Sequence, residues 1–273
     1  MLPPLNVYDQ QPRYFEIFNR GDTPFQFHLE TDSPWLQLTQ SGGTIQQEQR
    51  IWVNVDWATI PRDATKGTVT VSDPDGRRRI IINVPILNPA SPQRDALDGF
   101  VETDGWVSIE AEHFTGKSEG ESIHWVRLPD FGRTLSAMTT FPVNAAAQRI
   151  TAGSPHLDYK MYLFHTGEVS VDAYLAPTQK FQPGEGLRYG ISFDEEVPQV
   201  INLHSDYSQA EWERSVRDAV RVISSRHKLA NPGYHILKFW ALDPGIVLEK
   251  LVVNTGKTRP SYLGPPESFR NRL

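Results

Sequence analysis

The residues of this chain best placed to do chemistry are carboxylates in pairs. In Val107-Ser108-Ile109-Glu110-Ala111-Glu112-His113-Phe114, an extended backbone puts Ser108, Glu110 and Glu112 on one face. Two carboxylates on one face repel unless a cation or a basic side chain lies between them. Calcium takes several oxygen ligands, and carboxylates from separate strands meet that need. The simpler reading is a solvated strand face with Arg or Lys partners. Asp194-Glu195-Glu196, ahead of Val197-Pro198, reads as a solvated loop. Glycoside hydrolysis also uses paired carboxylates, but across a cleft, and no spacing here shows one.

Other catalytic signatures are missing from the sequence. There is no glycine-rich phosphate loop, no GxSxG elbow and no HExxH helix. With no cysteine, disulfides, thiolate metal sites and a cysteine nucleophile are excluded. The eight histidines are scattered without ligand spacing, and His204 and His235 read as strand-surface residues. Aromatic side chains offer a different chemistry, because sugar rings stack on exposed aromatic faces. Trp125, Tyr159, Tyr174, Tyr189 and Trp240 lie in or near extended segments and are the candidates, either as a saccharide platform or as core filling.

The elements that must position these residues are mostly strands. At 273 residues the chain has the length of about two domains. Its 21 prolines, 19 glycines and seven tryptophans favour short strands and turns over long helices. A formal charge of −6 leaves no electrostatic footprint for nucleic acid or an anionic membrane. No apolar run is long enough to span a bilayer. The N-terminus lacks the basic-then-apolar pattern of a signal peptide, which fits a cytosolic protein or an internal piece of an exported chain.

Period-two alternation at 13–18, 25–29 and 49–57 predicts strands, as does the pair 67–71 and 79–84 around the turn Asp73-Pro74-Asp75-Gly76. Residues 1–87 thus read as an immunoglobulin-like sandwich. Residues 88–98, rich in Pro, Ser and Asn, read as a linker. A second unit, 99–258, has strand candidates at 135–141, 157–164, 168–174, 187–193 and 199–203. Its one helix is expected over 209–225, with a capping box at Ser208–Glu211 and a stripe of Trp212, Val216, Val220 and Ile223. Tyr234–Leu242 and Val247–Val253 then read as an antiparallel hairpin about Asp243-Pro244-Gly245. The fold class is all-β: two sandwiches, the second of jelly-roll type with one surface helix. The tail, 259–273, contains Ser261-Tyr262-Leu263-Gly264-Pro265-Pro266-Glu267-Ser268, in which Gly-Pro-Pro forbids both helix and strand.

Several of these segments resemble known families. The first unit, with "PWL", "VDW" and "GTVTV", resembles the Ig-like modules appended to bacterial polysaccharide-degrading enzymes. "IEAEHF" resembles the opening strand of carbohydrate-binding modules of families six and thirty-five. That resemblance implies a structural calcium held by Glu110, Glu112 and Glu249, the last standing in "VLEKLVV" where those modules usually carry aspartate. "GLRYGISFDEEVPQVIN", "WERSVRDAVR", "PGYHILKFWALDPGIVLEKLVVNTG" and above all "SYLGPPES" resemble the C-terminal region of glycoside hydrolase family 115, the xylan α-1,2-glucuronidases.

The family resemblance implies a non-catalytic accessory region, because the family's catalytic residues lie in an upstream barrel and none maps onto this chain. It also implies an extracellular or periplasmic location. The implied partners are glucuronoxylan or a related polysaccharide, a family 115 catalytic domain in the same or a neighbouring chain, and a second copy in a homodimer. The tail becomes a docking segment: Tyr262 and Leu263 supply burial, and Pro265 and Pro266 reduce the entropy lost on docking. An independent lectin-like carbohydrate-binding protein is the alternative.

Overall fold

The computed structural model describes residues 2–151, 153–181, 183–184, 186–205, 208–256 and 261–271. It divides into two compact units, residues 1–96 and 97–273. Strands dominate both, and no helix among the described residues is long and apolar enough to cross a membrane.

The first unit contains β1 (Leu5–Asn6), β2 (Arg13–Phe18), β3 (Phe25–Thr31), β4 (Leu36–Leu38), β5 (Gly42–Ile45), β6 (Glu48–Val55), β7 (Lys66–Ser72) and β8 (Arg79–Leu87). A five-stranded sheet, β1-β8-β7-β3-β5, accompanies a three-stranded one, β2-β6-β4. Alternation in β6 buries Ile51, Val53 and Val55, which join Phe27, Val69 and Val84 in one core cluster. The expected turn closes the β7–β8 hairpin, where the Asp73 carboxylate accepts a hydrogen bond from the Arg78 backbone at 3.1 Å. Residues 88–96, read above as linker, are tied into this unit instead. The Tyr8 hydroxyl donates to the Pro92 carbonyl at 2.8 Å, and Arg94 Nε donates to the Tyr8 carbonyl at 2.9 Å.

The second unit begins with β9 (Gly99–Val101), β10 (Trp106–Glu110), β11 (Gly116–Ser118), β12 (His124–Leu128), β13 (Ala137–Phe141), β14 (His156–Leu163) and β15 (Gly167–Leu175). It continues through β16 (Arg188–Phe193), β17 (Gln199–Asn202), α1 (Gln209–Asp218), β18 (Arg221–Leu229), β19 (Gly233–Ala241), β20 (Val247–Asn254) and β21 (Arg270–Asn271). One sheet runs β12-β13-β20-β15-β18, with β10 also on β20. The other runs β17-β16-β19-β14-β9-β21, with β11 on β14. Tyr159, Tyr189, Phe239 and Leu251 belong to the core cluster that both sheets share.

Two expectations fail in the second unit. The strands β19 and β20 do not form a hairpin: β19 pairs with β14 and β16, whereas β20 pairs with β15, β10 and β13. The connection is a corner between sheets, fixed by Asp243, whose carboxylate accepts from Arg188 Nε at 2.8 Å and Nη2 at 3.0 Å. A tight turn and a corner carry the same Asp-Pro-Gly punctuation, so local signals do not separate them.

The helix also stops early. Ser208 caps its start by accepting from the Glu211 backbone at 3.2 Å, as expected. Ala219 then turns left-handed (φ 55°), and residues 221–229 form β18. Val220 and Ile223 are therefore off the helix, and Val216 is exposed. The β-branched, alternating run Val220-Arg221-Val222-Ile223 suits a strand better than a helix.

Candidate functional site

In β10, Val107, Ile109 and Ala111 point into the core, so Ser108 and Glu110 point out on the opposite face. That face is nonetheless closed to solvent: Ser108 is fully buried and Glu110 is 4% exposed. The register sets Glu110 directly opposite Lys250 of β20 and Ser108 opposite Val252. Glu110 Oε1 lies 2.9 Å from Lys250 Nζ, and its Oε2 accepts from the Thr134 hydroxyl at 2.6 Å. The ammonium donates twice more, to the carbonyls of Leu263 at 3.2 Å and Pro265 at 3.3 Å. An ammonium has three donors, and all three are used.

These carbonyls belong to the tail, which lies along the outer edge of β10. Ser108 N donates to Ser268 Oγ at 3.0 Å, Ser268 N donates back to the Ser108 carbonyl at 2.9 Å, and Ser108 Oγ donates to the Pro265 carbonyl at 3.0 Å. Glu267 Oε1 accepts from Glu110 N at 3.2 Å and lies 2.6 Å from His113 Nδ1. Arg133 holds the other end: it donates to the Tyr262 carbonyl, stacks 4.0 Å over the Tyr262 ring, and donates from Nε to Asp218 at the end of α1. Gly264 sits at φ +74°, where an added Cβ would stand 2.9 Å from the Tyr174 hydroxyl. The tail is thus docked on its own domain, while Tyr262 and Leu263 remain 63% and 50% exposed. Pro265 contributes its carbonyl to the clamp, and Pro266 follows it in the same docked segment.

The other two proposed metal ligands go elsewhere. Glu112 pairs with Arg127. Glu249 is the residue at which β20 slips register against β15, and its Oε1 has no hydrogen-bond partner among the described residues. Burial pushes the Glu249 pKa up to about 7, and the charge of Glu110 adds to the rise, against the lowering effects of Arg133 and Lys250. A calcium site needs six to eight oxygens, from ionised carboxylates together with carbonyls and water. Here one glutamate is spent on an ammonium, one on a guanidinium, and one favours its neutral form. Among the described residues no cluster of three His, Asp or Glu side chains could hold a metal. The three glutamates therefore do not fit a calcium site.

The sequence profile described as "Glycosyl hydrolase family 115 C-terminal domain" matches residues 99–267, the unit just described including its tail. The chain belongs to glycosyl hydrolase family 115. No curated protein sequence matches it. Among solved structures it is similar to a family 115 4-O-methyl-α-glucuronidase with specificity for decorated arabinogalactans, at 17% identity and a TM-score of 0.43. That likeness covers 64% of this chain and 20% of the enzyme, so this chain spans about a fifth of that enzyme's length. It is also similar to a family 35 carbohydrate-binding module from Clostridium thermocellum, at 11% identity and a TM-score of 0.36, over 55% of this chain and 98% of the module.

The aromatic residues proposed for sugar stacking in this family 115 domain are mostly core. Tyr159 and Tyr189 are fully buried, and Trp125 and Trp240 are 7% exposed. Tyr189 stacks on Phe239 with centroids 5.2 Å apart, and Tyr159 donates its hydroxyl to the Ala111 carbonyl at 2.8 Å. Trp125 Nε1 donates to the Ser118 carbonyl and Trp240 Nε1 to the Ser192 hydroxyl. Tyr174 is half-buried against Gly264. Four of the five are thus buried in the core, and Tyr174 alone keeps partial exposure.

A second polar cluster in the domain escaped the sequence reading. Ser225 Oγ lies 2.8 Å from His227 Nε2, and His227 Nδ1 lies 3.1 Å from Glu196 Oε2. The same loop holds His235, whose Nδ1 lies 2.7 Å from Asp194 Oδ2 and whose Nε2 is 3.0 Å from the Asn231 carbonyl. His235 is therefore buried, contrary to the surface position expected, and each carboxylate of Asp194-Glu195-Glu196 has a partner, Glu195 Oε1 lying 3.5 Å from Lys238 Nζ. Serine, histidine and glutamate in this order have the connectivity of a hydrolytic triad. Glu196 and His227 line a surface depression of about 400 Å³, but Ser225 does not line it and is 6% exposed. A nucleophile must reach its substrate, so this chain of hydrogen bonds is structural.

The residues that sequence reasoning missed are Lys250, Arg133, Glu267 and His113, while Ser108 was placed on the face of Glu110 without a role. Lys250 had a legible signal. A lysine inside the apolar run Val247-Leu248-Glu249-Lys250-Leu251-Val252-Val253 is seldom buried without a paired acid.

Proposed function

We propose that this chain is a non-catalytic accessory region of a family 115 α-glucuronidase acting on glucuronoxylan or a related polysaccharide outside the cytoplasm. It contributes a docking surface for the catalytic portion of such an enzyme. The observation that carries this reading is the division of labour in the tail: its backbone is locked by Lys250, Ser108 and Arg133, while Tyr262 and Leu263 stay exposed. A segment held in one conformation with two apolar side chains displayed loses little entropy on binding. Phe131 and Leu135, two positions either side of Arg133 in sequence, are also exposed.

The test is capture of a separately produced family 115 catalytic region by the 273-residue chain. Saturable binding is expected, weakened about tenfold or more in a Tyr262→Ser, Leu263→Ser variant. Failure of the wild-type chain to bind would remove the docking role. Retardation of the chain on glucuronoxylan gels, unaffected by that variant, would favour a lectin-like protein instead. Release of glucuronic acid from xylo-oligosaccharides by the chain alone would overturn the non-catalytic reading.

A further inference from the structure

We infer that Lys250 is the built-in cation of this domain: its ammonium stands in for the metal ion that the carbohydrate-binding-module resemblance implies, and it ties the paired strands β10 and β20 to the tail. The inference is independent of the docking role proposed above.

Three observations carry it. First, the ammonium is completely enclosed, at 3% exposure for the residue, and is satisfied by one carboxylate and two carbonyls. This is an all-oxygen environment such as a hard cation would take. Second, the ligands come from separate stretches of chain: Glu110 from β10, and the Leu263 and Pro265 carbonyls from the tail, with Lys250 itself on β20. One charge thus joins two strands and the tail, which is what a structural ion achieves by gathering distant oxygens. Third, both oxygens of Glu110 are already engaged, one by Lys250 Nζ and the other by the Thr134 hydroxyl, so the ammonium occupies the place beside this carboxylate that a cation would take. A lysine differs from an ion in one decisive way: it cannot be chelated or diluted away.

The experiment follows thermal unfolding of the 273-residue chain in EDTA and in added CaCl₂. Wild-type Tm should be unchanged by either, and calorimetric titration with CaCl₂ should show no binding. Lys250→Met should lower Tm by about 10 °C, since it leaves Glu110 buried without its partner. It should also speed chymotryptic cleavage after Tyr262 and Leu263 by about tenfold, through release of the tail. The Glu110→Gln, Lys250→Met double variant should lose less than the two single variants combined, because removing both charges is less costly than removing one. A wild-type Tm that falls in EDTA and recovers in CaCl₂ only while Glu110 is present would overturn the inference. So would strictly additive losses in the double variant. Should Lys250→Met fail to fold, the wild-type chelation and titration arms still decide.

Discussion

Two polar clusters of the second unit, one at the tail and one at the loop 194–196, are built to different standards. At the tail, the Glu110 and Lys250 side chains are 5% and 4% exposed and every polar atom of the pair has a partner. At the loop 194–196, the buried rings of His227 and His235 meet carboxylates that are 37% and 46% exposed. Water screens the second set and not the first, so equal distances do not mean equal energies. The tail cluster ties the β10–β20 pair to the docked tail, whereas the histidine cluster fixes how a loop lies.

The largest expected effect separates the two directly. Glu110→Ala strands an enclosed ammonium, and breaking such a pair from one side costs about 3–5 kcal/mol. Urea unfolding monitored by tryptophan fluorescence measures this loss. A loss below 1 kcal/mol would show that Lys250 finds water, and the contrast between the clusters would collapse.

Glu249 sharpens the comparison through pH. Its ordinary pKa is 4.5, and the folded chain holds the proton up to about 7. Between those values the folded state binds more protons than the unfolded one, so stability from this group is present below about pH 4.5 and is lost as pH rises through 7. Glu249→Gln mimics the neutral acid. It should leave stability nearly unchanged near pH 4 and raise it at pH 8, on the order of 2–3 kcal/mol. An identical shift of the unfolding midpoint at both pH values would refute the assignment.

His227→Leu should cost about 1–2 kcal/mol, since Ser225 Oγ loses its partner inside the core while Glu196 turns to solvent. It should also leave tail cleavage unchanged, which Glu110→Ala should not.

How much of this was legible in the sequence follows the range of each signal. Period-two alternation marked β6, because one of its faces is buried and the other is not, and β14 and β15, read only as strand candidates, show the same alternation of burial. It also located Glu110 on a distinct face. The sheet partners of β19 and β20 were not legible: Asp243-Pro244-Gly245 reads the same at a hairpin and at a corner between layers. The end of α1 was lost because Val220 and Ile223 happened to extend its stripe, although they lie on the strand side of Ala219. Glu110 and Glu112 were correctly seen as needing positive charge, but the source of that charge depends on register. Glu110↔Lys250 is a pairing 140 positions apart along the sequence, beyond any local pattern. The burial of Trp125, Tyr159, Tyr189 and Trp240 was hidden for a related reason, since ring type says nothing about which side of a strand is covered.

The smallest effects on stability test whether the tail itself has two kinds of position. Gly264→Ala forces a Cβ at positive φ and against Tyr174, and should cost about 1–2 kcal/mol. Tyr262→Ser removes a ring that is 63% exposed and a cation–π contact with Arg133, worth about 0.5 kcal/mol at such a site. If the tail merely caps the sandwich, both variants should alter capture of the catalytic portion only as far as they unfold the domain. If its tip is a docking element, Tyr262→Ser should abolish most capture at nearly unchanged Tm. Gly264→Ala should then lower Tm, with capture recovering at temperatures where the domain stays folded. Measuring Tm and capture on the same two preparations separates the cases, because the two substitutions rank in opposite order on the two scales.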